Sequence, residues 1–137
     1  MLLETKNLIV NKKRGLIKKA LFSNILKIKN EVLGHDYELA VNFIPPTEAQ
    51  NLNITYRRKD YIPNILSFPL AKKEGEIFIC LSVVRAEAKK FSLTYDNFLI
   101  LLLVHGALHL RGLEHGLKME KLEQTISEKY MLKCGNE

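Results

Sequence analysis

Seven apolar residues, Phe98 to Val104, run without a break into the segment His105-Gly-Ala-Leu-His109-Leu-Arg-Gly112-Leu-Glu-His115. A helix apolar on nearly every face has no side to turn to water, so it must be the central buried helix, with the other elements laid around it. The run is far short of the roughly 18–20 residues that span a bilayer. Helical spacing continues beyond it. An α-helix turns once in about 3.6 residues, so His105 and His109 leave the core from one face on consecutive turns. Gly112 permits a left-handed or tightly turned backbone, and the chain can fold back to bring His115 to the same point. Three of the four histidines in the chain then converge within eleven residues. One histidine on a helix is usually a surface or core residue, and a pair at i and i+4 arises by chance. Three, with a glycine before the last, make a ligand set. Three protein ligands with room for a fourth is the arrangement of a catalytic zinc site, whereas structural sites use four.

Around that helix the pattern predicts an α+β domain, a mixed sheet of about four strands with helices packed against it. A single domain over residues 1–137 is expected from the length. Lys6–Val10 reads as a short strand, and Asn11 to Gly15 as a turn. Apolar positions 16, 17, 20, 21, 25 and 28 predict a helix over Leu16–Ile28, with Lys18, Lys19, Lys27 and Lys29 on its outer faces. His35 reads as a surface residue. Tyr37–Ile44 alternates as a half-buried strand, and Pro45-Pro46 stops it. Thr47-x-x-Gln50 matches a capping box for a helix to about Tyr56. Ile65–Leu70 is extended, but Pro69 either demotes it to a sheet edge or stands at its end. Glu76–Ser82 completes a hairpin with it, and Val83–Phe91 is helical. Thr94 caps the central helix, with Asp96 at its positive end. Leu117–Leu132 is a last amphipathic helix.

Composition narrows the function classes. An apolar content of 47% and a charged content of 26% are those of an ordinary soluble protein. The N-terminal Met-Leu-Leu-Glu-Thr-Lys does not read as a signal peptide, so a cytoplasmic location and no membrane partner are expected. Cys80 reads as a small core residue, and no disulfide with Cys134 is expected. Residues 1–30 hold eight Lys and Arg against one acid, Glu4, and the rest holds thirteen against fourteen, so this segment carries the whole net charge of +6. A basic face suits a polyanion such as RNA, or is simply a solvated helix face.

The spacing His-x3-His-x2-Gly-x2-His is that of the metzincin metallopeptidases, which place a glutamate directly after the first histidine as general base. Here that position is Gly106, so the ligand set stands without the peptidase base. A zinc hydrolase with another substrate is expected. For a phosphodiester, a guanidinium is the fitting partner of the charge that develops. The candidates are Arg57, Arg58, Arg85 and Arg111, and the spacing does not choose between Arg57 and Arg58. The rivals are a metallopeptidase-like zinc hydrolase, and a non-catalytic ribosome-associated RNA-binding factor with a structural metal.

Three blocks together resemble the YbeY family of rRNA maturation factors. They are the histidine segment, Leu52-Asn53-x-x-Tyr56-Arg57-x-Lys59-Asp60 with Asn64-Ile-Leu-Ser67-Phe68-Pro69, and Gly75-Glu-Ile77-x-Ile79-Cys80 with Glu87-Ala88 downstream. They stand in family order over roughly residues 37–116. The resemblance implies a single-strand-specific, zinc-dependent endoribonuclease acting on rRNA and ribosomal particles, in maturation of the small-subunit 3′ end and in ribosome quality control. It implies that His105, His109 and His115 hold one Zn2+ with a water, and that Arg57 is the functional arginine. The family usually has Asp where Glu114 stands and often Thr where Pro63 stands; neither change touches a ligand. The general acid is unassigned, with Glu114 and Asp60 as candidates, and the oligomeric state is not implied.

Overall fold

The computed structural model describes residues 1–131. Its elements are β1 (Leu2–Thr5), β2 (Leu8–Lys12), α1 (Lys19–Val32), β3 (Glu38–Phe43), α2 (Pro46–Arg57), β4 (Ile65–Ala71), β5 (Glu74–Ile79), α3 (Leu81–Lys90), α4 (Tyr95–Leu110) and α5 (Leu117–Glu128). The strands form one mixed sheet in the order β1-β2-β3-β5-β4. The middle three strands run parallel, and the two edges are antiparallel to their neighbours.

The fold is the expected α+β arrangement, with five strands in place of about four. The N-terminal strand is a hairpin, Lys6-Asn7 forming its turn with Asn7 at a φ of 66°, a conformation asparagine tolerates. The first strand is short, and three of its four residues are exposed, so no alternation marks it. Along β3, Leu39, Val41 and Phe43 are buried, as alternation requires. Pro69 lies on the edge strand β4 next to a bulge. β5 ends at Ile79, three residues before the expected Ser82, because Cys80 already caps α3.

One face of the sheet carries the main core, where Val10, Val41, Ile77 and Ile79 meet the apolar face of α1 and most of α4. On the other face α2 packs through Ala49 and Leu52 against Ile44, Cys80, Phe78 and Val83. The central helix α4 touches β4, α1, α3 and α5. Thr94 Oγ1 accepts a hydrogen bond from the Asn97 N–H at 3.1 Å, the expected cap. No single helix among the described residues is long and apolar enough to cross a membrane.

Two local expectations fail for physical reasons. Thr47 does not cap α2: the capping position is Pro45, two residues earlier, and Pro46 opens the first turn, where proline's fixed φ suits the helix. Lys29 is not on the outer face. The helix runs four residues beyond Ile28, and Ile25, Ile28, Lys29 and Val32 form one buried stripe. The Lys29 ammonium is satisfied by the His35 carbonyl at 2.8 Å and Asn30 Oδ1 at 3.2 Å. Burial lowers its pKa, and the charge of Asp36 opposes that shift. Cys80 is buried as expected. The last helix ends at Glu128 with Lys129 as its cap, four residues before the expected Leu132, and Cys134 lies outside the described residues.

Candidate metal centre

The end of α4 builds the site. Arg111 is the last capping residue, and Gly112 takes a φ of 102°. The Gly112 N–H then bonds the His109 carbonyl at 2.9 Å, and the Leu113 N–H reaches back to the Leu108 carbonyl at 3.1 Å. This is a Schellman closure, which satisfies two orphan carbonyls and needs the left-handed residue in the middle. It reverses the chain and brings His115 over the histidines of the helix.

The three imidazoles offer ligand atoms that all lie within 4.8 Å of one another. Ring centroids are 4.6 Å apart for His105 and His109, 5.2 Å for His105 and His115, and 4.6 Å for His109 and His115. His105 Nε2 and His109 Nε2 face each other at 3.1 Å. A tetrahedral ion with bonds of about 2.0–2.1 Å has edges of roughly 3.3 Å, so two of the donors already stand near a ligand edge. Burial first, and then the neighbouring His105 and His115 rings, push the His109 imidazole below the ordinary histidine value. That favours the neutral form a metal requires.

Glu123 on α5 adds a group that sequence reasoning misses. Its Oε1 lies 2.5 Å from His105 Nδ1, with both side chains mostly buried. A carboxylate there holds the proton on Nδ1 and leaves the Nε2 lone pair aimed at the other histidines. Its only sequence signal is an acid one turn or more into the helix that follows the cluster, and α5 carries several such acids.

Gly106 faces the sheet. A Cβ there would lie 2.8 Å from Ile65 Cδ1 and 2.9 Å from Ser67 Oγ, and the Gly106 carbonyl accepts from Ser67 Oγ at 3.2 Å. The position held by the metallopeptidase glutamate is therefore pressed against β4, with no space for an acid.

A cleft of about 590 Å³ opens over the cluster, and Arg57, Tyr61, Asn64, Glu87 and Glu123 line it together with the three histidines. Arg57 Nη1 donates to Asn53 Oδ1 at 3.3 Å and to the Tyr61 hydroxyl at 3.2 Å. Asn64 Nδ2 donates to Glu87 Oε1 at 2.7 Å. Arg58 is the left-handed cap of α2, at a φ of 56°, and does not line the cleft. Arg85 lies over the Tyr95 ring, 4.9 Å from its centroid. Arg111, Glu114 and Asp60 also lie outside the cleft lining, and Asp60 is held by Gln50 Nε2 at 3.1 Å. Of the expected guanidinium candidates, the fold brings Arg57 alone into the cleft.

Residues 5–133 match the family model described as Endoribonuclease YbeY. A protein of that name from Polynucleobacter asymbioticus is 38% identical over 100 residues, covering 66% of this chain and 64% of the relative. The matched stretch thus spans just under two thirds of that relative's length. A relative of the same name from Staphylococcus aureus is 31% identical over 145 residues, covering 88% of this chain and 94% of its own. The solution structure of TM1509 from Thermotoga maritima superposes with a TM-score of 0.64 at 25% identity, over 90% of this chain and 88% of that one.

Proposed function

The chain belongs to the YbeY endoribonuclease family, and on that premise we propose that it is a zinc-dependent endoribonuclease that cuts single-stranded RNA. Its role is rRNA processing, at the 3′ end of small-subunit rRNA and in ribosome quality control, with ribosomal particles as partners in the cytoplasm. The observation that carries this reading is the cleft that holds the three histidines and one guanidinium together. His105, His109 and His115 would hold the ion. When bound, zinc supplies Lewis acidity and makes water a nucleophile near neutral pH.

The remaining chemistry belongs to the protein. Arg57 offers a fork of N–H donors to the non-bridging phosphate oxygens, where negative charge develops as phosphorus is attacked. Asn53 and the Tyr61 hydroxyl hold that guanidinium in place, which limits the entropy lost when RNA binds. Leu101, Leu102 and Ile65 supply apolar wall to the same cleft. The acids in the lining are Glu123, engaged by His105, and Glu87, engaged by Asn64. We assign the proton for the leaving oxygen to one of these two or to solvent; Asp60 and Glu114 do not line the cleft.

The peptidase reading is weakened by Gly106, whose Cβ position is already filled by β4. The test is direct. Purified protein is incubated with single-stranded rRNA fragments, with a duplex of the same sequence and with casein, each with and without a chelator. Cleavage of the single strand alone, abolished by the chelator and restored by zinc, is expected. Cutting of casein with the RNA left intact would overturn the proposal. Folded protein that keeps its metal and binds RNA without cutting it would favour the ribosome-associated factor.

A further inference from the structure

Apart from the histidines, Tyr61 is the aromatic residue lining the cleft. It is 49% exposed, and among the described residues its ring packs on no other aromatic ring. Exposure of a large ring normally goes with mobility. Tyr61 is instead held at both ends. Its carbonyl accepts from Asn53 Nδ2 at 3.0 Å, and Asn53 is wholly buried. Its hydroxyl accepts from Arg57 Nη1 at 3.2 Å. Two residues on, the buried Pro63 fixes the backbone that leaves the tyrosine. An aromatic ring is thus kept fixed and half open to solvent beside the group that would meet a phosphate.

We propose that Tyr61 is the platform on which one nucleobase of a single-stranded RNA stacks while the adjoining phosphate lies against Arg57 and the histidine cluster. This rests on the endoribonuclease reading and adds how that site selects its substrate. Every base has a π face, so such a platform is tolerant of sequence. It discriminates by strandedness. In a duplex each base is already paired and stacked on its neighbours, and moving one onto the tyrosine costs unpairing and unstacking. In a single strand an unstacked base is available. The Arg57–Tyr61 contact places base recognition and phosphate recognition side by side, as they are in one nucleotide. Neighbouring Ile62, also in the lining and 39% exposed, extends the apolar surface.

Cleavage kinetics of end-labelled oligoribonucleotides test this, using the metal-loaded protein and a series with one abasic nucleotide moved along the strand. In the unaltered protein, one position flanking the cut should raise KM by roughly 5- to 150-fold when its base is missing. In Tyr61→Ala the intact strand should show a similar rise in KM, and the abasic position should cease to matter. Tyr61→Phe keeps the ring and loses the hydroxyl that steadies Arg57, so its kcat should fall while the abasic position keeps its effect on KM. No sensitive position in the unaltered protein would overturn the proposal, whether or not Tyr61→Ala folds. So would an unchanged KM in Tyr61→Ala, or loss of the abasic effect in Tyr61→Phe, which would assign that effect to the hydroxyl's hold on Arg57. If the unaltered protein cut no RNA, the endoribonuclease reading itself would fall; cutting without a base effect would remove the stacking alone.

Discussion

Removing the Glu123 carboxylate should weaken metal binding while leaving the protein folded. Glu123 reaches His105 Nδ1 at 2.5 Å, and the two side chains are 21% and 27% exposed. A hydrogen bond to a charged group contributes about 1.5–3 kcal/mol. Water reaches both partners here, so the lower part of that range, about 1.5–2 kcal/mol, is the reasonable figure. At about 1.4 kcal/mol per factor of ten, Glu123→Leu should lose roughly 10- to 30-fold in zinc affinity, within the span reported for carboxylates behind ligating histidines. Glu123→Gln keeps an acceptor and loses the charge, and should lose about a third to a half of that free energy, roughly 2- to 5-fold. Competition for zinc against a chromogenic chelator reads both, with circular dichroism confirming that the metal-free variants stay folded. An affinity unchanged in Glu123→Leu would refute the positioning argument. Equal losses in the two variants would replace it with charge acting at a distance, since the hydrogen bond would then make no difference.

Arg57→Lys retains a positive charge and gives up the planar fork, so kcat for RNA cleavage should fall roughly 100-fold with zinc affinity unchanged by the same chelator assay. Gly106→Ala places a Cβ 2.8 Å from Ile65 Cδ1 and 2.9 Å from Ser67 Oγ; overpacking of this kind costs about 1–3 kcal/mol, read as a lower Tm, and Gly106→Glu should unfold the protein without creating casein cleavage. Among the described residues the buried Tyr37 hydroxyl has no hydrogen-bond partner, so Tyr37→Phe should leave stability unchanged or raise it by about 1 kcal/mol in a urea titration, whereas a clear loss would mean that the hydroxyl has a partner.

What could be read from sequence follows the range of the interactions. The central helix is legible because its apolar run, its Thr94 cap and its Gly112 stop are all local signals. The histidine cluster is legible for the same reason, since its three ligands come from one continuous segment. β3 and the edge position of Pro69 follow from alternation and from proline's missing donor. The misses are tertiary. Lys29 falls in the buried stripe of α1 because a loop carbonyl at His35 receives it, and no helical period discloses that partner. β1 is too short and too exposed to carry a pattern. Glu123 stands 18 residues from His105, and only the docking of α5 on α4 brings them together. Arg57 required the family resemblance to separate it from Arg58, because adjacent arginines look alike to any periodicity.

The fold supplies the physical reason for that last choice. Asn53 is a fully buried polar residue on α2, and burying an amide is costly unless its donors and acceptor are engaged. Its amide nitrogen takes the Tyr61 carbonyl and its oxygen takes the Arg57 guanidinium. Arg57 lies four residues on and so shares the helix face of Asn53. Arg58, one step further, ends the helix in a left-handed conformation and has no such relation. The amide that satisfies itself inside the protein thereby fixes the cation and the ring at the mouth of the cleft.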